Sequence, residues 1–200
     1  MIVYYAVEDQ LSEAVAKKLI VSTHFGMDLV LKPLNARFGG SGNIRKNLEK
    51  YCELSRRGNV VVLTDLDQSL CAPSLINTWF AGRNIPDGLS FRVSVKEVEA
   101  WLLADRVGIS NFLGVSNDAI PIDVESLKNP KETLLKITGQ SNKRGVKSDL
   151  LPQRGRNSTV GLGYNNTLCR FVQNEWNIAR AIANSASLEK AYHRIGEIRP

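Results

Sequence analysis

An α/β fold, a parallel-rich sheet flanked by helices, is predicted by three features of the chain. Val60 to Leu63 is an unbroken apolar run with three β-branched residues, entered through Gly58 and Asn59. Segments of strand character and of helical period alternate through the first half, and acidic residues recur where the strand-like runs end. An apolar run of that length reads as a strand buried on both faces, as in a parallel sheet covered by helices. Strand–helix–strand order then implies right-handed crossovers between parallel strands.

Ile2 to Val7 is a first apolar strand, ending at Glu8 and Asp9. Leu11, Ala14, Val15, Leu19 and Ile20 fall at helical spacing, so a helix follows directly, with Asp9 as its N-cap. Asp28 to Leu34 reads as a second strand, stopped near Pro33. Gly39-Gly40-Ser41-Gly42 lacks the lysine of a phosphate-binding loop and is expected to be a turn opening a helix. Ile44 to Arg57 reads as one helix, with Arg45 on its basic side and Gly58 ending it. The buried strand Asn59 to Thr64 comes next, then a helix over Pro73 to Phe80, a turn at 85–88 and a fourth strand, Leu89 to Val95. Lys96 to Asp105 starts acidic and ends apolar, and reads as a strand passing into a helix.

From Asn117 the composition changes to short polar segments broken by Pro121, Pro130 and Pro152. The chain is therefore divided into a core, 1–116, and a mostly helical extension, 117–200. A short helix opens at Pro130. Lys143, Arg144, Lys147, Arg154 and Arg156 stand against the single Asp149, a basic loop that either contacts phosphates or is only solvated. Leu168, Phe171, Val172, Trp176, Ala179, Ile182 and Ala183 give one amphipathic helix, and Leu188, Ala191, Tyr192 and Ile195 a second. Their aromatic residues are read as core.

Composition narrows the function classes. A hydrophobic share of 43% with 23% charged residues is that of a folded globular protein and excludes a disordered chain. No run approaches a membrane span, and MIVYYAVEDQ lacks the pattern of a secretory signal, so a cytoplasmic protein is expected. Cys52, Cys71 and Cys169 are scattered and there are only two histidines, which argues against a disulfide framework and against zinc. The net charge of +6 favours an anionic partner, nucleic acid first.

Chemistry concentrates at the polar end of the buried strand. Ligands of open α/β sheets sit beyond the carboxyl ends of the strands, where Asp65 and Asp67 fall. On an extended backbone the two point to the same side. Such close carboxylates repel, and a hard divalent cation relieves the repulsion. In the alternative reading one Asp caps the following helix and the other is solvated. Glu8, still on the first strand, is the better ligand candidate of the Glu8-Asp9 pair.

Glu8 after strand one, Asp65-x-Asp67 after strand three and an acidic residue after strand four together resemble the TOPRIM domain of topoisomerases, primases and nucleases of the overcoming-lysogenization-defect family. The run Glu97-Val98-Glu99-Ala100-Trp101-Leu102-Leu103-Ala104-Asp105 resembles small stand-alone TOPRIM-like proteins of prokaryotes, often encoded beside an ATPase in anti-phage loci. Asn129-Pro130-Lys131 and the segment from Phe171 and Trp176 to Ser187-Leu188 are similar to that group as well, so the resemblance spans most of the chain. It implies a TOPRIM-like fold and a nuclease in which Glu8, Asp65, Asp67 and Glu99, or Glu97, surround one or two Mg²⁺ (or Mn²⁺) ions. Glu99 is favoured because it stands two residues before Trp101. Lys131 or Arg45 would neutralise charge on the phosphate, and an ATPase would be the partner. Asp9 stands where the family commonly has Gly, and the absence of a tyrosine nucleophile domain argues against strand passage.

Two other readings compete. A non-catalytic module that binds metal, nucleic acid or a partner would use the same carboxylates. A phosphoacceptor receiver domain would need a lysine at the end of a fifth strand and would end about eighty residues earlier.

Overall fold

Strand β3 (Asn59–Asp65) has neighbours on both sides, and Val60, Val61, Val62 and Leu63 are at most 2% exposed. In the computed structural model, which describes residues 1–35, 38–153, 155 and 157–199, β3 pairs with β1 (Ile2–Ala6) and β4 (Leu89–Ser94), and β1 pairs with β2 (Val30–Pro33). The order is β2-β1-β3-β4 and every pairing is parallel. Register fixes what lies at the carboxyl edge. Ala6 pairs with Val62 and Asp65 with Ser94, so continuing the first offset by two residues brings Glu8 level with Thr64.

The chain forms two compact units, Met1–Val95 with Ser187–Pro200, and Lys96–Ala186. The sequence places its division at 116/117. In the first unit, Val60 and Val62 share an apolar cluster with Phe91, Ile44, Leu48, Tyr51, Leu75 and Phe80. Phe91 lies on β4, and the other five come from α2 (Gly40–Lys46), α3 (Leu48–Ser55) and α4 (Ala72–Phe80). Helix α1 (Gln10–Thr23) also packs on β3, through a buried stripe that includes Leu11, Val15 and Leu19. Its N-cap is Asp9, as expected, with the side chain accepting from the Ser12 N–H at 2.8 Å. The predicted single helix over 44–57 is instead α2 and α3, interrupted at Asn47. Asn47 Nδ2 donates to the Asn43 carbonyl at 2.9 Å, a local side-chain bond of the kind that competes with helix continuation.

The second unit holds α5 (Glu99–Ala104), α6 (Arg106–Leu113), a 3-10 turn at Asn117–Ala119, α7 (Pro130–Thr138), α8 (Arg144–Leu150), α9 (Tyr164–Asn174) and α10 (Ile178–Ile182). Three expectations are corrected here. Lys96 to Val98 is not a strand, because Lys96 turns into the left-handed region at φ 67°. The basic segment is helical as α8 over part of its length rather than a loop. The predicted long helix from 168 is two, because Asn177 leaves the helical region and caps α10 by accepting from the Arg180 N–H. The last helix, α11 (Ala186–Gly196), carries the C-terminal part of the first unit. Among the described residues there are four strands, so the fifth strand that a receiver domain needs is not found. No helix among them is long and apolar enough to cross a membrane.

Asp105 ties the second unit together. It is fully buried, and its Oδ1 accepts from Arg180 Nε at 2.6 Å and the Gly108 N–H at 3.0 Å. Its Oδ2 accepts from the Asn177 N–H at 2.8 Å and Arg180 Nη2 at 2.9 Å. One carboxylate thereby serves the N-termini of α6 and α10, and a Cβ on Gly108 would lie 2.2 Å from it. Asp105→Ala is expected to destabilise the protein by about 3 kcal/mol, the lower end for breaking a buried pair because Arg180 is partly exposed. Urea unfolding followed by circular dichroism measures it, and Arg180→Ala, which leaves the buried carboxylate two N–H donors, should cost less.

Candidate metal and phosphate site

Glu8 is held across the junction of β1 and β3. Its Oε1 accepts from Thr64 Oγ1 and from the backbone N–H of Asp65 at 2.8 Å, so both bonds fall on one oxygen. Burial pushes the Glu8 carboxyl above its ordinary range, the two hydrogen bonds pull the other way, and the nearby charges of Asp67 and Asp9 add to the rise. Asp65, half-buried at the end of β3, accepts from Ser94 Oγ at the end of β4. Thr64 and Ser94 are the residues that fix the two carboxylates, and the sequence did not single out either for that role. The signal was the strand register, which puts a hydroxyl beside each acid.

Asp67 is exposed and has left the strand. Leu66 is buried beyond the end of β3, and Asp67 takes a left-handed conformation at φ 49°, which a short polar side chain tolerates better than most. The expectation that Asp65 and Asp67 share a strand face is thereby corrected, since alternation requires an extended backbone. A turn nevertheless keeps them together. Asp65, Asp67 and Arg45 line one cleft of about 190 Å³, with Ser41 and Gly42 from the start of α2 and with Trp79. Gly40 opens α2 at φ 64°, and its N–H donates to the Glu8 carbonyl at 3.3 Å. The glycine-rich turn thus runs past the acidic edge, where a backbone without side chains permits close approach.

Among the described residues no three His, Cys, Asp or Glu side chains form a ready metal cage. The donors that are present nonetheless fit Mg²⁺ or Mn²⁺. They are hard carboxylate oxygens, one of them oriented by two hydrogen bonds, and Mg²⁺ is ordinarily held by one or two carboxylates together with water and substrate phosphate. A cationic guanidinium in the same cleft suits a phosphate.

Glu97 and Glu99 belong to the second unit. They do not share a strand face, because no strand runs there. Glu97 Oε2 accepts from the Lys131 N–H at 2.9 Å, at the N-terminus of α7. Glu99 is 2% exposed, its Oε1 accepts from Tyr164 Oη at 2.7 Å, and Lys131 Nζ lies 3.4 Å from that oxygen. Its Oε2 is buried without a hydrogen-bond partner. Burial raises the Glu99 carboxyl, Lys131 and Tyr164 offset part of the rise, and Glu97 adds to it. Tyr164 gave no sign of this role in the sequence.

The basic residues divide. Lys143 Nζ is tied to the Asn111 carbonyl at 2.7 Å. Arg144 is exposed and Lys147 partly so, three residues apart on α8. Arg154 and Arg156 lie outside the described residues.

The chain is similar in structure to the C-terminal region of the Burkholderia pseudomallei OLD protein. The two share 15% sequence identity with a TM-score of 0.53, over 98% of this chain and 97% of that one. At that identity the likeness is one of fold, and the fold is the α/β, TOPRIM-like one that the sequence predicts, with a mostly helical C-terminal part. No known family profile matches the chain, and no curated protein sequence does.

Glu99 has a measurable consequence for stability. Its carboxyl titrates higher folded than unfolded, so its contribution is fully present below the unfolded value of about 4.3 and is lost as pH rises through the folded value. Glu99→Gln, which keeps an acceptor for Tyr164, should melt close to wild type at pH 4 and above it at pH 7. Melting temperatures measured for both proteins from pH 4 to 8 check this; a variant less stable at every pH would mean that the ion pair with Lys131 outweighs burial.

Proposed function

We propose that the protein is a Mg²⁺- or Mn²⁺-dependent nuclease that hydrolyses phosphodiester bonds. The observation that carries the reading is the shared cleft of Asp65, Asp67 and Arg45, with Glu8 fixed to the backbone of Asp65 beside it. In this reading Glu8, Asp65 and Asp67 hold the ion. When bound, the ion supplies Lewis-acid polarisation of the phosphodiester and activation of water.

The chain's own residues do the rest. Thr64 and the Asp65 N–H orient Glu8, and Ser94 orients Asp65, so two carboxylates meet an incoming ion with little reorganisation. Arg45 holds a phosphate oxygen and offsets charge that accumulates there. The small cleft admits little beyond a phosphate and its ester oxygens. In the second unit, Arg144 and Lys147 on α8 are candidates to contact phosphates, while Lys131 stays paired with its glutamates. A second module, an ATPase as the sequence resemblance implies, is the proposed partner, in an anti-phage setting. That the structural neighbour is itself one region of a protein supports a module that works with another.

Asp67→Asn is expected to lose at least about 100-fold in cleavage rate, the scale of removing one charge-stabilising group. Without metal it should melt at or above wild type, because the Asp67 charge opposes ionisation of Glu8. Incubating plasmid, single-stranded DNA and tRNA with each protein in Mg²⁺, Mn²⁺ or EDTA, with and without the partner, measures the first; a scanning melt measures the second. Equal cleavage by both proteins would reject the mechanism.

Neutralising Arg144 and Lys147 together should weaken nucleic-acid binding and flatten its dependence on log salt by about 0.7 to 0.9 for each phosphate no longer engaged. Fluorescence anisotropy between 50 and 300 mM salt, on the order of the range in which such contacts are resolved, reads the slope. An unchanged slope assigns α8 to solvent.

A further inference from the structure

A second cleft in the first unit, away from the acidic edge, is built for an anion. It encloses about 580 Å³, within the range of small-molecule sites, and is lined by Ser90 and Arg92 of β4, Asp87 before it, and Arg194, Glu197 and Arg199 around the end of α11. Ser90 and Arg92 are two residues apart on one strand and so face the same way. Both carry an unmet donor. Arg92 Nε and Ser90 Oγ are buried with no hydrogen-bond partner, and Ser90 is only 8% exposed. Buried polar groups almost always have partners, so two adjacent exceptions on residues that line one cleft ask for a ligand.

The charges around the cleft say which kind. Arg194 Nη1 donates to Glu197 at 2.8 Å, and Arg199 Nη1 donates to the Gly196 carbonyl at 3.2 Å. Arg92 has no such carboxylate among the described residues. With Arg92, Arg194 and Arg199 against Asp87 and Glu197, the lining is net positive. Burial and the neighbouring Arg194 pull the Arg92 guanidinium below its ordinary value, the Glu197 charge offsets only part of this, and an anion in the cleft would relieve the rest. The ligand must present several acceptor oxygens to a guanidinium and a hydroxyl together, which a phosphate does. Ile85, Pro86, Leu89 and Ile198 add apolar wall, and the volume exceeds that of a phosphate.

We propose that this cleft binds a phosphomonoester carried on a nucleoside, with Arg92 and Ser90 gripping the phosphate and the apolar wall receiving the base. The ligand is either a free mononucleotide or the phosphorylated end of a nucleic acid. The site does not depend on the nuclease reading.

The test uses the whole protein in EDTA at constant ionic strength, with calorimetric and thermal-shift titration of inorganic phosphate, 5′-AMP, adenosine, and oligothymidine with and without a 5′-phosphate. Wild type is expected to bind 5′-AMP and to be stabilised by phosphate, and adenosine should bind far more weakly. Arg92→Met should weaken 5′-AMP by at least about tenfold, with partial rescue in Arg92→Lys. Ser90→Ala should weaken it about threefold, and it keeps the test valid if Arg92→Met does not fold. Asp67→Asn should bind 5′-AMP as wild type does, which separates this cleft from the acidic one. Preference for the phosphorylated oligonucleotide over 5′-AMP identifies a nucleic-acid end and the reverse a free nucleotide; either supports the site. No response of wild type to any phosphate, or wild-type affinity in both Arg92→Met and Ser90→Ala, overturns it.

Discussion

A parallel strand buried on both faces leaves its polar groups one place to go, the carboxyl end. In this protein that constraint falls on β3. Val60 to Leu63 fill the interior, and the first residues free to be polar are Thr64 and Asp65. What they meet is set by register with β1, which brings Glu8 level with Thr64. The carboxylate of Glu8 then satisfies the Asp65 N–H, a backbone donor at the strand end that would otherwise need water. One interaction thus closes the sheet and fixes an acid at its edge.

The three acids that define the molecule differ in how far they are satisfied. Asp105 receives four hydrogen bonds and has no further capacity worth using, which is the condition of a structural charge. Glu8 has both its bonds on one oxygen, and burial raises its carboxyl above the ordinary range against the pull of those bonds. Glu99 is buried with one oxygen unpartnered, although Lys131 and Tyr164 attend the other. Incomplete satisfaction lowers the stability of the free protein, and functional groups are where natural proteins tolerate that loss. The same reasoning separates Arg180, paired by Asp105, from Arg92, whose buried Nε has no hydrogen-bond partner and which feels Glu197 only through its charge.

Much of this was legible in the sequence because it rests on short-range pattern. The run at Val60 to Leu63 gave a buried strand, the spacing from Leu11 to Ile20 gave α1, and Asp9 gave its cap. Where a single residue breaks the pattern, reading from period fails. Asn47 divides a helix whose apolar spacing continues through it, and Lys96 at φ 67° ends an apparent strand without glycine or proline to announce it. The left-handed turn at Asp67 is of the same kind, so proximity of the two aspartates was foreseen for a reason that does not apply. Thr64, Ser94 and Tyr164 were missed because hydroxyl-to-carboxylate bonds depend on tertiary register and leave no periodic trace.

The central claim is that the acidic edge of the sheet holds a divalent ion. Anomalous scattering from crystals grown with Mn²⁺ and a short non-cleavable phosphorothioate strand locates such an ion directly. The account predicts a peak bridged by the carboxylates of Glu8, Asp65 and Asp67, with a phosphate oxygen near Arg45. A map with no peak at that edge, or with Mn²⁺ bound only elsewhere, would contradict it.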